Sequence, residues 1–240
     1  MFEKTIEIIK KELQKISKKD GAHDLSHFER TKNLALELQK TEGGDRLIIG
    51  VAAYIHDVHR LLSGDRKPNE TAGYMSPKES LPHVQKILEK TELSGEQIDK
   101  VLHCVEYHEE YSFSEQGKTV SDIETLILQD ADNLDAMGAI AIGRTFSYGG
   151  MCGIPLWAPE IPLNTNTPFE EKHPVDHSTI HHFYSKLLKL KDNMNTKTAK
   201  EMALVRHKTM LDFLCEFYKE WGGEAAEQAL EMTRKNYLSP

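Results

Sequence analysis

The chain of 240 residues, 39% of them hydrophobic, is long enough to bury a core in one large domain or in a compact core with an appended subdomain. Its 30 Lys and Arg against 38 Asp and Glu leave a formal net charge of -8, which argues against a general grip on nucleic-acid backbone. A small phosphate-bearing ligand in a local basic pocket stays open, while three distant cysteines, Cys104, Cys152 and Cys215, with no CxxC pair, exclude a disulfide framework and a thiolate zinc site and point to a reducing compartment.

Apolar residues recur at three- and four-residue spacing almost throughout, which predicts an all-α fold. The first segment, MFEKTIEIIKKELQKI, carries Glu3, Glu7 and Glu12 among its apolar positions and reads as an amphipathic helix over 2–17, not as a signal or transit peptide. No apolar run reaches the roughly 18 residues of a membrane span, so a cytoplasmic protein without membrane contact is expected. Further helices are predicted over 26–41, 45–58, 77–91, 95–109, 120–135, 137–147, 178–192, 196–220 and 223–236. Asp20-Gly21, Gly43-Gly44, Gly64 with Pro68, and Gly117 supply the breaks. Residues 147–177 are dense in Pro, Gly and Asn and too long for an ordinary connection, which predicts a lid or binding loop, with Tyr148, Trp157 and Phe169 suited to closing over a base. Any domain boundary is a soft one near 150–175, and the helices of 178–240 are expected to pack on the core.

The chemistry is carried by polar residues that interrupt apolar helices. His27, near the start of its helix, shares a face with Arg30, Thr31, Leu34 and Leu38. His56 and Asp57 stand side by side at the end of the run AAYIHDVHRLL; helix neighbours diverge by roughly 100°, so both reach one ion only beyond the helix end or side. In LILQDADNLDAMGAIAIGR, Asp130, Asp132 and Asp135 break an apolar helix, and buried carboxylates require a cation or a cluster of donors. Arg144 follows on the next apolar segment, set either to neutralise Asp130 or Asp135 or to contact phosphate; Arg30 and Arg60, with His59 and Lys32 nearby, are further phosphate candidates. His23 and Asp24 read as a helix cap, His103 and Cys104 as packing, and His177 and His181 as the ordinary start of a helix.

In order, His27, the doublet His56-Asp57, and Asp132 within QDADNLDAMGAIAIGR resemble the H...HD...D signature of the HD superfamily of metal-dependent phosphohydrolases. The last motif is similar to that of the stand-alone HD hydrolases, and the resemblance covers about residues 20–150. It implies a helical core, residues 1–150, that holds a divalent metal through His27, His56, Asp57 and Asp132, with Asp130 as the alternative to Asp132. Such a mixed imidazole and carboxylate set suits Mn, Fe, Co, Ni or Zn, with Mg also reachable. His83 and His108 lie in the order that bimetallic members use for a second ion, with Asp57 as bridge, so the resemblance implies one ion, or two if both converge. Beside the resemblance, residue chemistry and position suggest catalytic parts for Asp57, Asp135 and Arg144, with Asp135, on the face of Asp132, orienting a ligand or the attacking water, and substrate-phosphate contacts from Arg30, Arg60 and Arg144. Asn133 and Ala141 depart from the motif, where Arg and Gly are common.

The function expected is metal-dependent cleavage of a phosphate ester or anhydride in a nucleotide or similar small phosphorylated metabolite, by a monomer or homodimer. Two rivals use the same helices: a di-iron oxygenase, which needs all six ligands, and a nucleotide-binding sensor without turnover.

Overall fold

The computed structural model describes residues 1–17, 25–63, 75–112, 117, 119–163 and 177–238, and among these no strand occurs. The α-helices are α1 (Phe2–Ile16), α2 (Leu25–Glu42), α3 (Arg46–Ala53), α4 (Val58–Ser63), α5 (Pro77–Leu88), α6 (Gly95–Tyr107), α7 (Ile123–Asp135), α8 (Gly138–Cys152), α9 (Thr179–Ser185), α10 (Lys197–Trp221) and α11 (Glu224–Thr233). A 3₁₀ segment, Leu187–Asn193, links α9 to α10, and a π-helical turn, Arg234–Leu238, follows α11.

Local chemistry sets the helix starts. Asp45 caps α3 by accepting from the Leu47 and Ile48 amides, Ser76 with Glu79 and Ser94 with Gln97 form capping boxes on α5 and α6, and Asp122 and Thr196 cap α7 and α10. Helix α3 is the axis of the fold: every residue from Ile48 to Ala53 is buried. Helices α2, α6 and α7 pack around it, α1 closes one side, and α10 lies against α2, α7 and α8. The uniformly apolar α3 therefore delivers the chain that follows it, the His-Asp doublet, into the centre of the molecule.

Three predicted elements differ from the structure. The helix expected over 45–58 ends at Ala53, and Tyr54–Asp57 form a tightened turn in which the Ile55 amide bonds Ala52 (3.1 Å) and the Val58 amide bonds Ile55 (3.3 Å). The His56 ring nitrogen Nδ1 donates to the Ala53 carbonyl at 3.0 Å, an acceptor that a continuing helix would give to the amide four residues on. The predicted 178–192 helix is divided into α9 and the 3₁₀ segment, and α8 runs past 147 to Cys152, where Gly153 closes it at φ 68°.

The loop expected from 147 or 151 to 177 is correspondingly shorter. Tyr148 belongs to α8, and Phe169, with the rest of 164–176, lies outside the described residues. Trp157 is 5% exposed and packs edge-on against Phe217, Tyr218 and Trp221 at centroid distances of 5.1–6.4 Å. It anchors the segment to α10 and does not present its ring to a ligand. Among the described residues no helix is long and apolar enough to cross a membrane.

Candidate metal centre

Five elements build the site: the start of α2 with His27 and Arg30, the α3–α4 turn with His56 and Asp57, the end of α6 with His108 and Glu109, α7 with Asp132 and Asp135, and α8 with Arg144, which reaches Asp135. The α7–α8 connection is short because Gly138 takes φ 78°, a left-handed conformation that side chains disfavour, and so α8 folds back over α7.

The decisive feature is the tautomer of the histidines. His27 Nδ1 donates to Asp135 Oδ2 (2.8 Å), His56 Nδ1 to the Ala53 carbonyl (3.0 Å) and His108 Nδ1 to the Val105 carbonyl (2.7 Å). A neutral imidazole with its proton on Nδ1 has a lone pair on Nε2. His27 Nε2 and His56 Nε2 stand 3.2 Å apart, both 3.4 Å from Asp132 Oδ1, with Asp57 Oδ2 3.4 Å from the first and 3.9 Å from the second. These atoms are all electron-pair donors facing one another inside the protein; His27 and His56 are 2% and 0% exposed. A divalent cation among them would be met by all four groups at once.

Burial works against the charged form of each carboxylate, and the neighbours overcome it. The pKa of Asp57 is held well below the ordinary range by His56, His108, His27 and His59 despite its burial. Asp132 is lowered in the same way by His56 and His27. Burial also opposes the charge of His108, yet Asp57 and Glu109 push its pKa up to about 9. A divalent ion answers the same negative field. The donor set therefore fits a divalent metal, and His56, His108 and Asp132 also have ligand atoms within 4.8 Å of one another.

Asp135 faces outward from this group and ties it to two arginines. Its carboxylate accepts from His27 Nδ1, from Arg30 Nε (2.7 Å) and Nη2 (3.0 Å), and from Arg144 Nη1 (2.6 Å). Burial raises the Asp135 pKa and these bonds more than offset it, so the group stays a carboxylate. Arg144 thus pairs with Asp135 and not with Asp130. Asp130 points the other way: its two oxygens accept from the Asn195 amide and side chain (2.7 and 3.0 Å) and from the Thr196 amide and hydroxyl (2.8 and 2.7 Å), securing the N-terminus of α10. Asp132 is the aspartate of α7 that meets the histidines.

Other sequence candidates fall elsewhere. His83 is exposed on α5 and belongs to none of the ligand groups among the described residues, which removes the six-ligand set that a di-iron oxygenase needs. Arg60 pairs with Glu109, and its Nε lies 3.9 Å from Asp57. Lys32 lies over the Tyr54 ring, 5.3 Å from its centroid, outside the cluster. His181 fastens the preceding segment through Ser178 Oγ (2.7 Å) and the Ile161 carbonyl (3.1 Å), and exposed His103 bonds Asp122 (3.0 Å) where packing was expected. His23 and Asp24 lie outside the described residues. Glu109 was missed; its only signal was its place directly after His108.

Comparison with known proteins identifies the family. A family model described as HD domain matches residues 24–137, the segment that holds every residue of the cluster except Arg144. The chain is 33% identical over 215 residues to the uncharacterised protein YpgQ of Bacillus subtilis (strain 168), spanning 88% of this chain and 91% of that one. The crystal structure of an HD-superfamily hydrolase from Bacillus thuringiensis is 37% identical with a TM-score of 0.67, covering 93% of this chain and 97% of the other. The crystal structure of Bacillus subtilis YpgQ in complex with ADP has a TM-score of 0.64 at 28% identity, covering 91% and 98%. The ordered histidines and aspartates, the all-helical frame around them and a likeness that runs the length of both partners lead to one conclusion: the chain belongs to the HD domain family.

Proposed function

We propose that the protein is a metal-dependent phosphohydrolase that cleaves a phosphate ester or anhydride in a nucleotide or similarly small phosphorylated metabolite. The observation that carries this reading is the convergence of the buried His27 and His56 Nε2 atoms, 3.2 Å apart, on the Asp57 and Asp132 carboxylates. These four residues would hold the ion, with Mn, Fe, Co, Ni, Zn and Mg all compatible with the donor set. A divalent ion bound there supplies Lewis acidity toward a phosphoryl oxygen and an acidified water. The chain's own residues prepare the site. Asp135 keeps the His27 proton on Nδ1, and the Ala53 carbonyl does the same for His56. Arg30 and Arg144 both bond the Asp135 carboxylate, which holds the two guanidiniums side by side at the edge of the cluster. Their side chains are 31% and 23% exposed, which leaves them accessible to orient phosphate oxygens. The nucleotide class is supported by the ADP complex of YpgQ.

The test is metal content of the purified protein together with release of phosphate or pyrophosphate from nucleotides and sugar phosphates, with and without added Mn, Co, Ni and Mg. Metal-dependent release that vanishes in His56→Ala and Asp57→Ala is the expected result. Nucleotide binding without any release would favour the sensor, and a protein that takes up no metal would overturn the reading.

A further inference from the structure

The carbonyls that end a helix have no amide partner within it and must find donors elsewhere. At the end of α6 two side chains act as those donors. His108 Nδ1 donates to the Val105 carbonyl at 2.7 Å, and Gln129 Nε2, from α7, donates to the Tyr107 carbonyl at 2.9 Å, beside a longer bond from the Glu110 amide at 3.3 Å. The His108 ring is therefore set by the backbone of the turn that carries it. That ring stands edge-on to His56, with centroids 5.0 Å apart at 84°, and its Nε2 is 3.5 Å from Asp57 Oδ1. Whatever fixes the end of α6 also fixes the wall behind the His-Asp doublet.

Gln129 is itself held from the C-terminal part of the chain. It is fully buried, and its Oε1 accepts from Asn195 Nδ2 (3.1 Å), which also reaches Asp130 Oδ1 (3.0 Å). Four residues beyond His108, the Ser112 amide and hydroxyl both donate to Asn193 Oδ1 (2.7 and 2.8 Å), and Asn193 is 1% exposed. Lys186 lies over the neighbouring Tyr111 ring, 4.9 Å from its centroid. The stretch 107–112 is thus fastened at both ends by one junction, 193–195, where the 3₁₀ segment meets α10. Two of these bonds run to the backbone of the stretch, the Tyr107 carbonyl and the Ser112 amide, so they decide where it stands. Buried side-chain networks of this kind rigidify the structure around them. The junction lies outside residues 24–137, the span matched by the HD domain model.

We infer that Gln129, Asn193 and Asn195 are positioning residues of the metal centre, which pin the 107–112 stretch and, through it, hold the His108 ring behind His56 and Asp57. This deepens the functional reading above and rests on it. The C-terminal helices thereby belong to the support of the site and are not an appendage to it. An α6 end released from the junction would free the His108 ring to leave the Val105 carbonyl, and the doublet would lose the surface against which it is aligned.

The experiment uses full-length protein carrying Gln129→Met or Asn193→Ala, which cut the network at separate points, so that a variant that fails to fold leaves the other to decide. Trp157→Ala removes packing at the opposite end of α10 and controls for a general loss of stability. Nitrogen-15 shifts of the His108 ring, recorded on metal-free protein, report whether Nδ1 keeps its bonded proton, and Mn(II) titration by calorimetry reports the affinity. Both network variants should lose the single Nδ1-bonded His108 signal and bind Mn(II) about 10-fold more weakly, the lower end of the loss caused by removing an outer-shell partner. Trp157→Ala should keep the wild-type signal and affinity. An unchanged His108 signal in a folded network variant, wild-type Mn(II) affinity there, or an equal loss in Trp157→Ala would each overturn the inference. Wild-type protein that takes up no Mn would remove the hydrolase reading, and the ring signal, read without metal, would still decide whether the junction holds His108.

Discussion

Replacing Asp135 by Asn tests whether the proton on His27 is the device that makes this centre. The carboxylate is 1% exposed and accepts four bonds, one from His27 Nδ1 at 2.8 Å, two from Arg30 and one from Arg144. Asparagine keeps the shape but offers one carbonyl and one amide. If the two arginines claim the carbonyl, the amide turns toward His27 and donates to Nδ1, moving the imidazole proton to Nε2, the atom that faces His56 and Asp132. Loss of an outer-shell partner of this kind typically lowers metal affinity by about 10- to 100-fold, which is ~1.4–2.7 kcal/mol. Arg30 and Arg144 are accessible enough to recover water, so the fold survives with a stability loss on the order of the ~1.5–3 kcal/mol of a charged hydrogen bond. Mn(II) titration by calorimetry gives the affinity, and nitrogen-15 chemical shifts of the His27 ring give the tautomer. Wild-type affinity in Asp135→Asn, with the His27 proton still on Nδ1, would refute the reasoning.

Further outcomes follow from the same geometry. Asp130→Ala removes four bonds that hold Asn195 and Thr196, so the melting temperature should fall by several degrees while the number of metal ions bound stays the same; a changed metal count would return Asp130 to the ligand set. Trp157→Ala should destabilise by about 3–5 kcal/mol in thermal unfolding and leave the KM for the substrate unchanged, and a raised KM without loss of stability would restore the lid role of that residue. Burial, helped by Lys191, pushes the pKa of His207 down from 6.5 to about 4, and its Nδ1 has no partner. The unfolded chain binds this proton first, so stability is lost as pH falls from 6.5 toward 4, at about 1.4 kcal/mol for each unit separating the two values. Melting curves across that range should flatten in His207→Gln, and curves parallel to wild type would contradict the assignment.

The ordering of the site was legible in the sequence wherever a polar residue broke an apolar helical run. His27, the doublet and the aspartates of α7 stand out because burial makes such residues expensive without a cation. Helix positions followed from periodicity, since most of these helices bury one face. The choice between Asp130 and Asp132 was not legible. Two residues apart on a helix they point about 200° from each other, and which way is inward depends on a turn at Asn195 that lies 65 residues further along the chain. His83 failed for a similar reason: position between motifs says nothing about which face of α5 meets the core. The break at Tyr54 was invisible because it is made by a side chain, His56, taking a backbone acceptor. Trp157 was misread by composition, since a Pro- and Gly-rich stretch hides the fact that its aromatic residue completes a cluster on α10.

The donors around Asp57 come from α2, the α3–α4 turn, the end of α6 and α7, and no hairpin of adjacent helices can assemble them. An ion held there is bound by the finished topology alone, and its binding energy adds to the resistance of the whole chain to opening. At a free concentration of 100 times its dissociation constant it would contribute about 2.7 kcal/mol, close to a hundredfold fewer molecules open at any moment. Degradation in a cell proceeds from those open molecules. The lifetime of the protein would then follow the supply of its metal, and starvation for that metal would clear the protein as well as silence it.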